Sequence, residues 1–309
     1  MLKGSKIFVA GHKGLVGSSI YRRLLNDGYT NVIVRTSKEL DLTVQKDVDE
    51  FFQKENFEYV FLAAAKVGGI LANNTYKADF IYRNLMIQCN VIHCSFKYGV
   101  KKLLFLGSNC IYPKVCNIPI KEEYLLDGKL EPTNQPYALA KLSGIEMCNS
   151  YREQYGCNFI SLMPTNLYGP NDNYDLETSH VLPGLLRKFI EAKKHNLPNV
   201  SLWGTGTPRR EFLHSDDVAD ACLHFMNTYS EKTHINIGTG KDISIKELAE
   251  IIKEVVGFEG EIIFDKDKPD GTFRKVFDVS KAKDLGWSAN IGLKEGIKMT
   301  YELIKDTYL

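Results

Sequence analysis

The sequence predicts an α/β protein: a doubly wound parallel sheet of the dinucleotide-binding (Rossmann) kind, joined to a smaller α/β C-terminal substrate domain. Three observations carry this. Residues 1–170 alternate short β-branched or aromatic runs with longer segments of helical period, the pattern of strands and crossover helices. The runs Val60 to Ala65 and Leu103 to Leu106 are apolar on successive residues, as expected of strands buried on both faces. The first run passes straight into a glycine-spaced turn and then an amphipathic segment.

Taken in order, strands are predicted at Lys6 to Ala10, Asn31 to Arg35, Tyr59 to Ala65, Lys101 to Gly107 and Phe159 to Met163. Helices are predicted between them, at Leu15 to Asp27, Val44 to Lys54, Thr75 to Tyr98 and Ala138 to Tyr155. After Pro170 the rhythm loosens. Helical segments at Val181 to Lys194, Ser215 to Tyr229, Ser244 to Val256 and Leu293 to Asp306 are separated by short strands at Val200 to Trp203, His234 to Ile237 and Ile262 to Phe264. We expect residues 1–170 with 211–243 to form the dinucleotide domain, the second stretch returning to the first sheet. Residues 171–210 with 244–309 then form the substrate domain.

Composition removes whole classes of function. The 309 residues carry 39 Lys+Arg against 38 Asp+Glu, a net charge of +1, so the chain is neither a nucleic-acid clamp nor a polybasic membrane binder. A hydrophobic fraction of 44% with 25% charged residues is ordinary for a globular chain and excludes wholesale disorder. The longest apolar stretch, Tyr59 to Ala65, is far short of the roughly 18 to 20 residues of a membrane span. Ile7 to Ala10, cut off by Gly11, is too short for a signal-peptide core. A cytoplasmic location is expected, with no nucleic-acid or membrane partner. Cysteines 89, 94, 110, 116, 148, 157 and 222 form no C-x-x-C pair and no zinc-spaced cluster with histidine, so reduced thiols and no metal are expected.

The turn after the first strand reads Gly11-His12-Lys13-Gly14-Leu15-Val16-Gly17. Glycines permit the tight turn and let backbone amides approach a pyrophosphate, whose charge the helix N-terminus favours. The second strand ends in Val34-Arg35-Thr36-Ser37-Lys38. An acid there would accept hydrogen bonds from the ribose 2′-hydroxyl of NAD, whereas a guanidinium pairs with a 2′-phosphate. Arg35 therefore favours NADP(H); Glu39 is the alternative, as an NAD-type ribose ligand.

Tyr137 and Lys141 stand one turn apart at the start of a predicted helix. The spacing alone is weak, because Tyr98 with Lys102 and Tyr301 with Lys305 repeat it. What distinguishes Tyr137 is its place after the fourth strand and Ser108, in the domain that carries the glycine turn. The pair suits proton transfer coupled to hydride transfer at a carbonyl: an ammonium nearby, and the charge of an oxidised nicotinamide, favour the phenolate of a group that ordinarily titrates near pH ~10. Ser108, at a strand C-terminus where ligands of open α/β sheets bind, can hydrogen-bond the carbonyl oxygen as charge builds on it.

These motifs, with Asn166-Leu167-Tyr168-Gly169-Pro170 and Arg210-Glu211-Phe212-Leu213-His214-Ser215-Asp216-Asp217, resemble the extended short-chain dehydrogenase/reductase family. Four further stretches are similar to the branch of that family that epimerises GDP-4-keto-6-deoxy-D-mannose at C3 and C5 and reduces it at C4. They are Ala63 to Ile70 with Ala72 to Tyr76, Gly107 to Pro113, Met163 to Asn166 and Lys268-Pro269-Asp270-Gly271-Thr272. The resemblance spans essentially the whole chain.

It implies a set of site residues. NADP(H) would be held by Gly11, His12, Lys13, Gly14, Leu15, Val16, Gly17, Arg35, Thr36, Asp41, Leu42 and Ala64 around the first strands. Leu106, Gly107, Ser108, Tyr137, Lys141, Pro164, Thr165, Asn166, Leu167 and His180 would complete that set. Catalysis would fall to Ser108, Cys110, Tyr137, Lys141 and His180. The C4 ketone acidifies the C3 and C5 protons, so a base, Cys110, and an acid, His180, could invert both centres before Tyr137 supplies a proton to C4. A thiol needs only modest lowering from ~8.5 to act as that base. Without the family, Cys110 would read as a small core residue. Substrate would be held by Asn166, Lys188, Trp203, Arg210 and Asp270, and a homodimer would form through the helices at Thr75 to Tyr98 and Ala138 to Tyr155.

Asn109 departs from the second serine of the bacterial enzymes, and Lys188 stands where arginine is common. Dehydratases of the family carry an Asp-Glu pair where this chain has Asn109 and Cys110, so the acid for water elimination is missing. A simple 4-epimerase has no need of Cys110 and His180, and a non-catalytic dinucleotide sensor has no reason to keep Ser108, Tyr137 and Lys141 together.

Overall fold

A computed structural model describes residues 1–268, 270 and 273–308; Pro269, Gly271 and Thr272 of the last motif lie outside the described residues. The chain begins with β1 (Ile7–Ala10), α1 (Leu15–Asn26), β2 (Val32–Ile33), α2 (Gln45–Glu55), β3 (Tyr59–Leu62), α3 (Ile70–Thr75) and α4 (Lys77–Lys97). It continues through β4 (Lys102–Leu106), α5 (Gln135–Tyr155), β5 (Phe159–Pro164), β6 (Asn166–Tyr168), α6 (Val181–Lys194) and β7 (Asn199–Trp203). Then come β8 (Arg209–His214), α7 (Ser215–Thr228), β9 (Ile235–Ile237), β10 (Asp242–Ser244) and α8 (Ile245–Val256). The described chain closes with β11 (Glu261–Asp265), β12 (Arg274–Lys275), α9 (Ser280–Asp284) and α10 (Leu293–Tyr308).

Six strands form one parallel sheet in the order β2-β1-β3-β4-β5-β9. Consecutive apolar residues in β1 and β4 are required because helices cover both faces. Phe8, Ala10, Leu103 and Phe105 enter one core with Val48, Phe52 and Val91, while Ile7, Val9, Leu104 and Leu106 enter a second with Ile20, Leu24 and Val218. Burying each large side chain contributes roughly 1.5–3 kcal/mol. A third core fills the space between α6, α8 and α10 with Leu186, Phe189, Leu248, Ile252 and Ile297. A small sheet of β10, β8 and β12, with β6 also paired to β8, lies beside it, and β7 pairs with β11. Phe277 and Val279 pack into the first core, and Ala282 and Trp287 into the second.

Several elements differ from expectation for identifiable reasons. The helix predicted from Thr75 to Tyr98 is α4, and a short helix not expected from the sequence, α3, precedes it, the two parted at Tyr76 with φ −105° and ψ 44°. Asn73 lies just before the break and donates to the carbonyls of Gly68 (2.6 Å) and Gly69 (3.0 Å), diverting side-chain bonding to the loop. α5 starts three residues before Ala138, because Pro136 sits in its first turn, where proline is tolerated. Ala63 to Ala65 leave β3 after Leu62. The strands β6, β8, β10 and β12 were not anticipated.

Two buried charges tie the layers together. The Lys102 ammonium donates to the carbonyls of Phe225 (3.0 Å), Met226 (2.7 Å) and Tyr229 at the end of α7, taking carbonyls that the helix leaves unpaired. Glu211 of β8 is 0% exposed. Its carboxylate accepts backbone N–H bonds from Thr239 (2.6 Å), Gly240 (2.7 Å) and Phe277 (2.8 Å).

Glu211→Gln turns an amide NH2 toward those N–H groups and leaves donors unpaired. We expect a loss of about 2–4 kcal/mol in unfolding free energy, seen as a lower thermal midpoint. A midpoint unchanged within a degree would show that the carboxylate does not hold these segments.

Candidate active site

The sheet order reverses between β1 and β3, which places the ligand crevice at their C-terminal ends. Gly11 follows β1 with φ +89°, and a Cβ there would lie 2.8 Å from the Ala64 backbone. A Cβ on Gly17 would meet the Gly11 carbonyl oxygen at 2.1 Å. Both positions require glycine, and the turn closes through Gly14 N–H donating to Gly11 O at 3.0 Å. α1 then starts from Gly14 with no side-chain cap and no acid in its first turn, leaving its amides to a ligand. That arrangement fits a pyrophosphate.

At the end of β2 the Arg35 guanidinium bonds the Val34 carbonyl (2.8 Å), reaches Glu55 at 3.5 Å and lies 5.3 Å over the Phe51 ring. Glu39 accepts from Thr36 N–H at 2.7 Å, so its carboxylate closes a turn; that bond, with Arg35 and Lys13 nearby, holds its pKa below the usual range. Asp41 likewise accepts from the Thr43 N–H (2.9 Å) and hydroxyl (2.8 Å), and the Leu42 carbonyl accepts from Asn90 at 2.9 Å. Burial, then the charge of Lys13, lowers the His12 pKa. Lys13 and Arg35 around one turn fit an extra phosphate better than a bare ribose.

The residues after β4 meet those of α5. Gly107 packs closely, since a Cβ would lie 2.1 Å from the Met163 sulfur unless that side chain moved. Ser108 caps the 3₁₀ turn Asn109–Ile111, its hydroxyl accepting from Cys110 N–H at 3.5 Å. Cys110 is 4% exposed; burial pushes its thiol pKa up, opposed by Ser108, Lys275 and Lys141. Tyr137, in the first turn of α5, meets Phe80 edge-on at 6.2 Å. One turn on, the Lys141 ammonium donates to the Leu106 carbonyl at 2.8 Å, 6.0 Å from the Tyr137 ring centroid. Burial lowers the Lys141 pKa to about 8.

The expectation that Lys141 favours the phenolate does not hold for the protein without ligand. Burial, reinforced by Cys110, raises the Tyr137 pKa, and only Ser108 opposes it. The protonated phenol is nonetheless the form that a carbonyl reduction consumes. The two decoy pairs are engaged elsewhere: Lys102 caps α7, and Lys305 pairs with Glu302 at 2.6 Å.

His180 is the N-cap of α6. Its segment is fastened to the loop after β3, with Gly69 N–H donating to Thr178 O at 2.7 Å and a Gly69 Cβ position 2.4 Å from Ser179 O. A Gly68 Cβ would touch Phe80, which in turn meets Tyr137, so one aromatic side chain links the His180 segment to the tyrosine. Solvent reaches His180, yet the surrounding atoms disfavour the imidazolium and lower its pKa. Asn109 has its own partner: it donates to Asn166 Oδ1 at 3.3 Å, and Asn166 donates to the Glu211 carbonyl at 2.8 Å. Pro164 ends β5, Thr165 N–H donates to Ile237 O at 3.0 Å, and Leu167 lies in β6.

Three of the expected substrate residues gather at the end of β7. The Lys188 ammonium donates to Ser201 O at 3.2 Å, and Trp203 is 60% exposed with Lys268 5.7 Å from its ring centroid. Both Asp270 oxygens accept from Thr205, at 2.9 and 2.8 Å. Arg210 is apart from them on β8, its guanidinium bonding the Arg209 carbonyl at 2.8 Å. Burial lowers the pKa of both Lys188 and Arg210. Lys275 was missed from sequence: by strand register it stands beside Arg210, and its charge acts on Cys110. The only trace of it in the sequence is the basic pair Arg274-Lys275, an echo of Arg209-Arg210.

A parallel sheet with a glycine-lined crevice, opening onto a serine, a tyrosine and a lysine, is the arrangement of a dinucleotide-dependent oxidoreductase of the extended short-chain type. The chain belongs to the NAD dependent epimerase/dehydratase family, whose model matches residues 7–238. It is 58% identical over 300 residues to GDP-L-fucose synthase 1 of Arabidopsis thaliana, covering 97% of this chain and 93% of that protein. It is 52% identical over 306 residues to GDP-L-fucose synthase of Escherichia coli strain K12, covering 96% and 95%. Among solved structures, the GDP-mannoheptose C4 reductase of Campylobacter jejuni with NADP bound matches with a TM-score of 0.90 and 47% identity over 99% of both chains.

Proposed function

We propose that the chain is an NADP(H)-dependent, bifunctional GDP-L-fucose synthase. It converts GDP-4-keto-6-deoxy-D-mannose to GDP-L-fucose by 3,5-epimerisation followed by 4-keto reduction. The observation that carries this reading is the convergence of two segments: Ser108, bonded by the Cys110 N–H just after β4, and Tyr137 with Lys141 on α5, whose ammonium bonds the Leu106 carbonyl two residues before Ser108. It supplies one site with a thiol for carbon acids and a phenol for a carbonyl oxygen. Relatives at 52–58% identity carry that name, and the solved neighbour with NADP acts on a GDP-sugar at C4.

The Cys110 thiolate takes the C3 and C5 protons in turn, made acidic by the C4 ketone, while His180 returns protons to the other face. Ser108 hydrogen-bonds the C4 oxygen as it becomes anionic. Tyr137 then gives that oxygen its proton, and the Lys141 cation steadies the phenolate left behind. Bound NADPH supplies the hydride. Lys188 and Arg210 offer charge to the diphosphate, Trp203 an exposed flat face, and Asn166 and Asp270 hydrogen bonds.

The dinucleotide is held by residues 1–170 with 211–243, and the GDP-sugar by 171–210 with 244–309. A homodimer is supported by the paired helices α4 and α5, which leave Tyr82, Leu139 and Tyr155 exposed, 62%, 40% and 52% respectively. All seven cysteines are free thiols, which suits the reducing cytoplasm. Among the described residues no helix is long and apolar enough to cross a membrane.

Cys110→Ser is expected to leave cofactor binding intact and stop solvent deuterium entering C3 and C5, whereas Tyr137→Phe should allow exchange and stop NADPH oxidation. Normal exchange in the serine variant would show that Cys110 is not the base. Arg35→Ala should raise the Michaelis constant for NADPH about tenfold or more with little change for NADH; equal losses would remove the phosphate role. Sedimentation at micromolar concentration should give twice the 35.0 kDa chain mass, and a monomer would exclude the dimer.

A further inference from the structure

We propose that Lys275 is a positioning residue for the epimerisation: the cation on β12 that favours the thiolate of Cys110 as that thiol gives up its proton. This rests on Cys110 being the base.

The strands β8 and β12 run parallel in register, Arg274 opposite Arg209 and Lys275 opposite Arg210. Side chains alternate across a sheet, so the two pairs lie on opposite faces. Arg209 and Arg274 share Asp242, the first at 3.2 Å, and Arg209 also meets Glu247 at 3.2 Å. Arg210 and Lys275 are left side by side, and among the described residues no carboxylate forms an ion pair with either. Glu131, the carboxylate whose charge acts on Lys275, is paired with Lys114 at 3.0 Å. Two adjacent cations without an internal counter-charge call for anions. In the proposed function the diphosphate serves Arg210, and the thiolate serves Lys275.

The lysine is held in place by backbone contacts. Directly after it, the Val276 carbonyl accepts from Ile120 N–H, and Asp278 N–H donates to the Ile120 carbonyl, both at 2.8 Å. Phe277 bonds Glu211 and meets the Tyr112 ring edge-on at 5.6 Å. Tyr112, two residues beyond Cys110, is anchored by His234 at 2.9 Å and Asn236 at 2.5 Å. Both the thiol's segment and the lysine's strand are therefore fixed against each other.

The groups close enough for charge or hydrogen bonding to couple them to Cys110 are Ser108 from its own turn, Tyr137 and Lys141 from α5, and Lys275 from β12. Those facing Lys275 are Cys110, Arg210, Cys116 and Glu131. Burial disfavours the thiolate and the ammonium separately, and each charge favours the other. Lys141 also acts on Cys110 but bonds the Leu106 carbonyl, whereas among the described residues the Lys275 ammonium has no hydrogen-bond or ion-pair partner.

The test uses the full chain and reads two quantities against pH: iodoacetamide alkylation of the Cys110 peptide, and deuterium incorporation at C3 and C5. Lys275→Met should move the alkylation midpoint upward by about one unit or more and slow exchange at neutral pH about tenfold for each unit. Lys275→Arg, which keeps the charge, should restore most of both. Equal displacement in the Arg and Met variants, or no displacement in either, overturns the proposal. So does a raised Michaelis constant for the GDP-sugar with an unmoved midpoint, which would make Lys275 a phosphate ligand. Cys110→Ser separates the two layers: if it exchanges normally the base itself is wrong, and if it does not while the Met variant keeps its midpoint, only the role of Lys275 fails.

Discussion

The carboxylate of Glu211 is the point on which the site's geometry depends. An ionised group at 0% exposure is tolerated only because three backbone N–H groups converge on it, from the turn after β9 and from the residue that follows Val276. Its own carbonyl accepts from Asn166, which in turn accepts from Asn109. The turn carrying Cys110, the last strand of the parallel sheet and the strand carrying Lys275 are thus registered to one residue. The neighbour on each side of Glu211 in β8 is also engaged, Arg210 beside Lys275 of β12 and Phe212 in the third core.

The chemistry follows from desolvation acting on groups of opposite need. Burial raises the phenol of Tyr137 and the thiol of Cys110 alike, and lowers the ammonium of Lys141. In the roles proposed above this is an advantage for Tyr137, an acid that arrives protonated, and an obstacle for Cys110, a base that needs a nearby cation to ionise. One hydroxyl, that of Ser108, touches both problems. The site is therefore a place where the same scarcity of water serves one half of a two-step conversion and hinders the other.

The parallel sheet was legible because its strands are buried on both faces, and the glycine turn because sterics leave no alternative at Gly11 and Gly17. Ser108, Tyr137 and Lys141 stand out as candidates from their place after β4 rather than from spacing, which the decoys share. Cys110 and His180 have no local signature: one resembles any core thiol, and the other is the N-cap of an ordinary helix. β8 and β12 escaped notice because Arg209-Arg210-Glu211 and Arg274-Lys275 contradict every apolar strand pattern. The charges of Arg209, Arg274 and Glu211 are satisfied by Asp242 and by distant backbone amides, neither of which is visible along the chain. The break at Tyr76 was hidden for a similar reason, since Asn73 spends its amide on a loop several residues earlier.

The packing at Gly107 sets a limit on how this sequence can change. The glycine that precedes Ser108 owes its identity to the Met163 sulfur on the neighbouring strand rather than to backbone conformation. Positions 107 and 163 therefore share one volume: across descendants of this sequence, a side chain gained at 107 calls for the Met163 thioether to move aside or for atoms surrendered at 163. The two positions should drift together over evolutionary time, although neither belongs to the chemistry they frame.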